Sequence, residues 1–380
     1  MDTNVTPGFN VDYWREEEFP ITKNFIYLDN AAMSPLPSRV KNAIVDFHQS
    51  RSYSGASFVQ WWDEVEIARE KISRLIGCHA DEVAFTQNTS MGINLIAQGI
   101  PFQKGDNLII SDIEFPSNVY PWLNLESKGI EVRFVKSVNG TVPLADLENL
   151  IDERTRLISL SFVEAGNGFK NNVEEVSSLC QKSEIYFVVD AIQGLGVHEI
   201  DVKKLNIDFL VSGFFKWLFG PDGIGFMYCS ERVLSEMVSP FVSWTSMEDK
   251  FNYSTYNFTL SPTSRRFEAG NLNFSGIRGV IKGLDLIEEI GIDVIHGRAM
   301  QLATHLREQS NRSPKVTCAS NFSKDNQSQI VLLQCENDDM CFERLKQHNI
   351  IVNKRNGLRI SPHFYNTKEE LDTLLEIISE

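Results

Sequence analysis

The chain has 380 residues, 42% of them hydrophobic and 11% aromatic, which is enough for well-packed cores and excludes a disordered or fibrous protein. Lys and Arg total 36 against 51 Asp and Glu, a net charge of −15, which argues against a surface built for nucleic acid or anionic membrane and toward small-molecule ligands. Six cysteines lie far apart, with no CxxC pair and no cysteine–histidine cluster at zinc spacing, so neither a disulfide framework nor a metal is expected and reduced thiols in a cytoplasm fit best.

The N-terminal stretch through Phe19 is acidic and has no apolar centre, so no targeting or membrane segment is expected. From Asp81 onward, short β-branched runs follow one another: Val83–Thr86, Leu108–Ser111, Val132–Val135, Leu157–Phe162, Tyr186–Val189 and Phe209–Val211. Amphipathic segments such as Ala145–Leu150 and Val173–Cys180 lie between them. That alternation predicts an α/β fold with a mostly parallel sheet flanked by helices. From Ile277 the pattern changes to one long helical stretch through Arg307, a polar connection over Ser310–Gln329, a strand at Ile330–Gln334, then helix, strand and helix. This reads as a smaller α+β domain at the C-terminus, with the N-terminal arm packing beside it.

Ligands of parallel sheets gather at the carboxyl ends of the strands, so reactive side chains just after each strand are the candidates. After the first run, Thr89 and Ser90 stand at a helix start, where hydroxyls and free N–H groups suit an anion, or serve as an ordinary cap. After Val189 comes Asp190, a carboxylate that either meets a cation or caps the next turn. After Gly213 comes Lys216 amid Phe214, Phe215 and Trp217, where desolvation would lower its pKa and suit a Schiff-base amine, unless it reaches solvent. Gly194-Leu195-Gly196 imitates part of a dinucleotide fingerprint but lacks the third glycine. An anion site, a carboxylate and an apolar-framed lysine, each after a different strand, are together the equipment for pyridoxal phosphate.

In order and spacing these residues resemble the class V aminotransferase family of fold-type I pyridoxal phosphate enzymes, which includes cysteine desulfurases and isopenicillin N epimerase-like proteins. The match runs from Tyr27-Leu28-Asp29-Asn30-Ala31-Ala32 through Thr86–Asn94, Glu114–Trp122, Asp190–Gln193, Lys216–Gly225 and Arg266–Gly270 to Leu358-Arg359-Ile360-Ser361. The resemblance implies a large cofactor-binding domain over residues 23–265 and a small domain over 266–380, with residues 1–22 packing against the latter. It implies that Lys216 holds the cofactor as a Schiff base and moves the Cα proton, that Asp190 pairs with the ring nitrogen, and that Gln193 binds the phenolic oxygen. Thr89 and Ser90 would hold the phosphate, Phe115 would lie on the ring, and Gly213 stands where desulfurases have a phosphate-binding serine. Arg359 would bind the substrate α-carboxylate beside Asn30 and Ala31, and Asn271 would reach the phosphate from the partner subunit of a homodimer. No metal is implied.

The departures from the desulfurase pattern are specific. Phe115 and Phe215 replace two histidines, and an alanine, Ala165, stands near the asparagine that commonly contacts the carboxylate. The run Ile350–Arg359, where desulfurases carry the persulfide cysteine, is short and has none; Cys335 and Cys341 lie earlier. The resulting expectation is an enzyme that acts on an amino acid through an external aldimine and a Cα carbanion, by transamination, C–S lysis or epimerisation. It excludes a persulfide-forming cysteine desulfurase. The alternative is a catalytically weak binding or regulatory protein on the same fold. Phe115, Tyr120, Trp61 and Trp62 suggest a bulky pocket, or else core or dimer interface.

Overall fold

The computed structural model describes residues 9–55 and 57–379. Seven strands form the central sheet: β1 (Val83–Thr86), β2 (Asn107–Ser111), β3 (Glu131–Val135), β4 (Thr155–Ser161), β5 (Tyr186–Asp190), β6 (Phe209–Gly213) and β7 (Gly225–Cys229). Their order is β1-β7-β6-β5-β4-β2-β3, and only β7 runs antiparallel to its neighbours. The α/β expectation therefore holds. All six predicted runs are strands, with ends within two residues of those expected.

Side chains alternate along each strand between two separate cores. Ile109, Ile158, Leu160, Phe187, Val189 and Leu210 point to one face, while Leu108, Ile110, Leu157, Val188 and Phe209 point to the other. Both faces are covered, which is why these strands read as unbroken apolar runs rather than as alternating ones. Each fully buried branched side chain stabilises the fold by about 1.5–3 kcal/mol.

Two helices that the sequence reading did not single out, Ser38–Ser54 and Phe58–Ile76, pack against Phe274–Ile290 on one side of the sheet. The single stretch expected from Ile277 through Arg307 is two helices, Phe274–Ile290 and Ile292–Ser310. Gly291, at φ +88°, breaks it, because that left-handed backbone suits glycine and stops the first helix.

The C-terminal sheet is antiparallel, in the order β10-β11-β9-β8, from β8 (Val316–Cys318), β9 (Val331–Cys335), β10 (Asn353–Arg355) and β11 (Gly357–Ile360). Its own core holds Leu306, Val331, Leu333, Leu358, Ile360, Leu371 and Leu374. The N-terminal helix Val11–Glu18 docks near the last helix through Arg15, which donates to Tyr365 O and pairs with Glu370 at 2.8 Å. Ile26–Tyr27 pairs in parallel with Ile350–Ile351, and Asp29 bridges to Ser361. Among the described residues no helix is long and apolar enough to cross a membrane.

Candidate active site

The carboxyl ends of β1, β2, β4, β5 and β6 converge on a cavity of about 230 Å³. Its walls include Thr89, Ser90, Phe115, Asp190, Gln193, Lys216, Ala31 and Arg359, eight residues that the sequence assigned to one site.

Lys216 follows β6 in a tight turn closed by Phe219 N–H to the Lys216 carbonyl and by Gly220 N–H to the Phe214 carbonyl. Gly196 makes room for this turn, since a Cβ there would sit 2.4 Å from the Trp217 carbonyl oxygen. The ammonium lies 5.6 Å from the Phe215 ring centroid and 5.7 Å from that of Phe115. Burial pulls its pKa down to about 8, the charges of Arg359 and Arg355 push the same way, and Asp190 opposes them. The lysine is thus buried at the site, and the solvent-reaching alternative is set aside.

Asp190 ends β5. One carboxylate oxygen accepts the Ile192 N–H at 3.0 Å, and burial pushes its pKa up to about 6 against the pull of that N–H and of Lys216. Gln193 is held at both ends of its amide. Its Oε1 accepts the indole N–H of Trp217 at 2.9 Å, and its Nε2 donates to the Ala31 carbonyl at 2.9 Å.

On the opposite wall the helix Thr89–Gly99 starts at the cavity, with Asn88 as its cap accepting the Met91 N–H. The Thr89 hydroxyl is buried without a partner among the described residues, while Ser90 donates to Ser117 at 2.7 Å. An orphaned hydroxyl at the positive end of a helix is a ready anion contact.

Arg359, on β11, is buried. It donates to the Ala165 carbonyl at 2.8 Å and to Asp29 at 3.2 Å, and its Nε has no partner among the described residues. Asp29 is steadied in turn by the Asn353 amide at 3.0 Å. Arg355, from the same hairpin, stands at the mouth, where this cavity meets a polar vestibule of about 820 Å³.

Three expected site residues are not in the cavity wall. Asn30 is buried beside it, donating to the Ser361 carbonyl and accepting from Ser34 and Tyr365. Gly213 lies inside β6, where a Cβ would meet the Phe215 ring at 3.0 Å. Asn271 lines a separate apolar groove with Phe241, Phe267 and Leu272. Of the aromatic residues considered for a bulky pocket, only Phe115 lines the cavity; Tyr120 is exposed, Trp61 packs on Phe47, and Trp62 packs on Trp244 and Phe274. Ser212, beside Gly213, is also outside the cavity wall and donates its hydroxyl to the Gly213 carbonyl. Sequence reasoning missed Asn88, Ser117, Ile192 and Arg355, which line the wall. Ser117 was legible in the Glu114–Trp122 phrase, whereas Arg355 enters only through the β10–β11 hairpin.

A family model described as aminotransferase class-V matches residues 26–374. A probable cysteine desulfurase of Pyrococcus abyssi is 30% identical, with 96% of each chain covered, and one of Methanothermobacter thermautotrophicus is 28% identical at the same coverage. The solved apo structure of a cysteine desulfurase from Thermococcus onnurineus NA1 covers 100% of this chain and 98% of its own, at 27% identity and a TM-score of 0.89. These relatives overturn the exclusion of a persulfide-forming cysteine desulfurase. That exclusion rested on one cysteine-free loop, whereas the likeness to proteins of that name spans nearly the whole chain. A loop thiol takes up the sulfur in the same step that breaks its bond to carbon, so its position does not define the groups that act at the substrate Cα.

Proposed function

The chain belongs to the class V aminotransferase family, whose members are pyridoxal-phosphate-dependent enzymes, and from that premise we propose that it removes sulfur from cysteine or a close analogue and leaves alanine. The observation that carries this reading is the convergence of Lys216, Asp190 and Arg359 on one cavity.

The residues present fit the cofactor. The unpartnered Thr89 hydroxyl and the helix start beside it suit a phosphate, with Ser90 adjoining. Asp190 suits a protonated ring nitrogen, because an adjacent cation offsets the burial that otherwise favours its neutral form. Gln193, oriented by Trp217, can offer a second amide N–H to the phenolic oxygen. Phe115 covers one side of the cavity. Pyridoxal phosphate, when bound, supplies the electron sink that makes bonds at the substrate Cα and Cβ labile.

The protein's own side chains do the rest. Arg359, which lines the cavity together with Ala31, holds the α-carboxylate through its free Nε, and Asn30 ties the adjoining segment to Ser361. Lys216, partly neutral near physiological pH, takes and returns the proton at Cα. Phe115 and Phe215 limit water around the amine.

The proposal extends to assembly. The chain works as a homodimer: Asn271 and its apolar groove, with the exposed Phe241, Phe251, Tyr253 and Phe258 nearby in sequence, face a second copy, and Asn271 completes the partner's phosphate site. Gly213 contributes by its lack of a side chain. Residues 23–265 carry the cofactor, residues 266–380 with the N-terminal arm carry Arg359, and the six unpaired cysteines suit a cytoplasmic setting.

The test is incubation of the reconstituted protein with L-cysteine and a thiol, measuring alanine and sulfide. Alanine formed in step with sulfide supports sulfur removal. Pyruvate in place of alanine, or no product, overturns it.

A further inference from the structure

Behind Asp190 lies a second layer of carboxyl groups that the proposed chemistry leaves unused. Ser161, the last residue of β4, pairs in register with Asp190 on β5. Glu114, arriving from the end of β2, grips Ser161 with both oxygens: Oε1 accepts the Ser161 N–H and Oε2 accepts the Ser161 hydroxyl, each at 2.6 Å. Asn171 donates to the Ser161 carbonyl at 2.8 Å and to Glu164 Oε1 at 2.9 Å, while Glu164 Oε2 is buried without a partner among the described residues. Three carboxyl groups thus surround one serine. No guanidinium or ammonium forms an ion pair with Glu114, Glu164 or Asp190 among the described residues.

Three negative charges cannot be carried together in so dry a place. Burial is the largest influence on each. It pushes Glu114 up to about 7, against the Ser161 hydrogen bonds and the pull of the nearby Asn118 amide, and reinforced by Asp190. It holds Glu164 well above the carboxylate range, reinforced by Glu114. The other charged groups facing this nest are Asp112, Lys216 beyond Asp190, and Arg355 across the vestibule that Glu114 and Asp112 also line. Glu164 therefore stays neutral, Asp190 ionises first, and Glu114 is the group left to titrate near neutrality.

We propose that Glu114 is a positioning residue acting through Asp190: when it loses its proton it adds a second negative charge behind the cavity floor, and so sets the pH range over which Asp190 holds a protonated ring nitrogen. The role rests on the reading of Asp190 given above. Glutamine at position 114 is isosteric and keeps both contacts to Ser161, with its amide donating to the hydroxyl, so Glu114→Gln removes the charge and leaves the grip.

The experiment follows the cofactor absorption of the reconstituted enzyme, without substrate, from about pH 5 to about pH 9, together with the thermal unfolding of the same chains with and without cofactor. The wild type should show an inflection at about 7. Glu114→Gln should lose it and Glu164→Gln should keep it. Ser161→Ala, which removes a donor to the ionised form, should move it to higher pH, and this variant decides the matter if Glu114→Gln does not fold. A buried neutral acid binds a proton that the unfolded chain has released, so wild-type stability should fall as pH rises toward 7 and Glu114→Gln should fall less. An inflection that survives in Glu114→Gln, or one lost only in Glu164→Gln, overturns the assignment. The two readings fail separately: no cofactor band at any pH removes the reading of Asp190, whereas unfolding profiles that coincide for wild type and Glu114→Gln remove Glu114 whatever the cofactor does.

Discussion

The indole Nε1 of Trp217 donates to Oε1 of Gln193 at 2.9 Å, and since an indole N–H can only donate, this contact dictates which end of the amide meets the Ala31 carbonyl. The residue after the site lysine thus orients the side chain three positions after Asp190.

Trp217→Phe keeps an aromatic ring against His363 but frees the Gln193 amide to turn. Leaving that buried oxygen unpaired should cost about 1–3 kcal/mol of stability, read as a lower denaturant midpoint. The cofactor absorption maximum should also shift, and an unchanged spectrum would count against Gln193 touching the ring oxygen.

The amine of Lys216 must be unprotonated to react with an aldehyde, and its pKa lies at about 8. Cofactor incorporation into the apoprotein, followed by absorbance, should therefore quicken as pH rises through that value. Arg355 is a cation that disfavours the ammonium form, so Arg355→Gln should raise the lysine pKa and move the rate profile to higher pH. Movement to lower pH would refute the electrostatic account. Lys216→Ala should abolish Schiff-base formation with the protein and turnover.

Arg359→Gln should raise KM for amino acids by roughly tenfold or more, the scale of one charge-assisted hydrogen bond, with a smaller change in kcat. Steady-state kinetics on L-cysteine and on an amine lacking the carboxylate separate the two effects. If the decarboxylated amine is penalised as heavily as the amino acid, Arg359 is not the carboxylate ligand.

Away from the cavity, Arg69 and Glu268 form a fully buried pair at 2.8 Å, and Glu268 also accepts the Phe85 N–H at the same distance. Glu268→Ala leaves the guanidinium only Glu66, at 3.2 Å, and the Val83 carbonyl, and should destabilise the fold by about 1–3 kcal/mol in thermal or denaturant unfolding. A loss below about 1 kcal/mol would mean that water reaches the arginine.

The sheet was legible because strands covered on both faces announce themselves as apolar runs, and Asp190 and Lys216 were legible because they stand where such runs stop. The helices Ser38–Ser54 and Phe58–Ile76 were not singled out; they lie ahead of the first run and carry many polar residues on their outer faces. The break at Gly291 was hidden because apolar residues continue on both sides of it. Glu114 and Arg355 depended on tertiary placement, one from its clasp on Ser161 and the other from a hairpin that brings residue 355 over Phe115. The cysteine-free loop misled because it was given more weight than the agreement of the rest of the chain.

The segment Leu28–Ala31 touches both parts of the site at once. Leu28 O accepts the Ser361 N–H, Asp29 meets Arg359, the Asn30 amide donates to the Ser361 carbonyl, and the Ala31 carbonyl receives the Gln193 amide. Wherever β11 moves, this short stretch is pulled along with it. The carboxylate grip proposed for Arg359 and the orientation of the Gln193 amide are therefore mechanically in series, so a shift that tightens one is felt by the other through three peptide units.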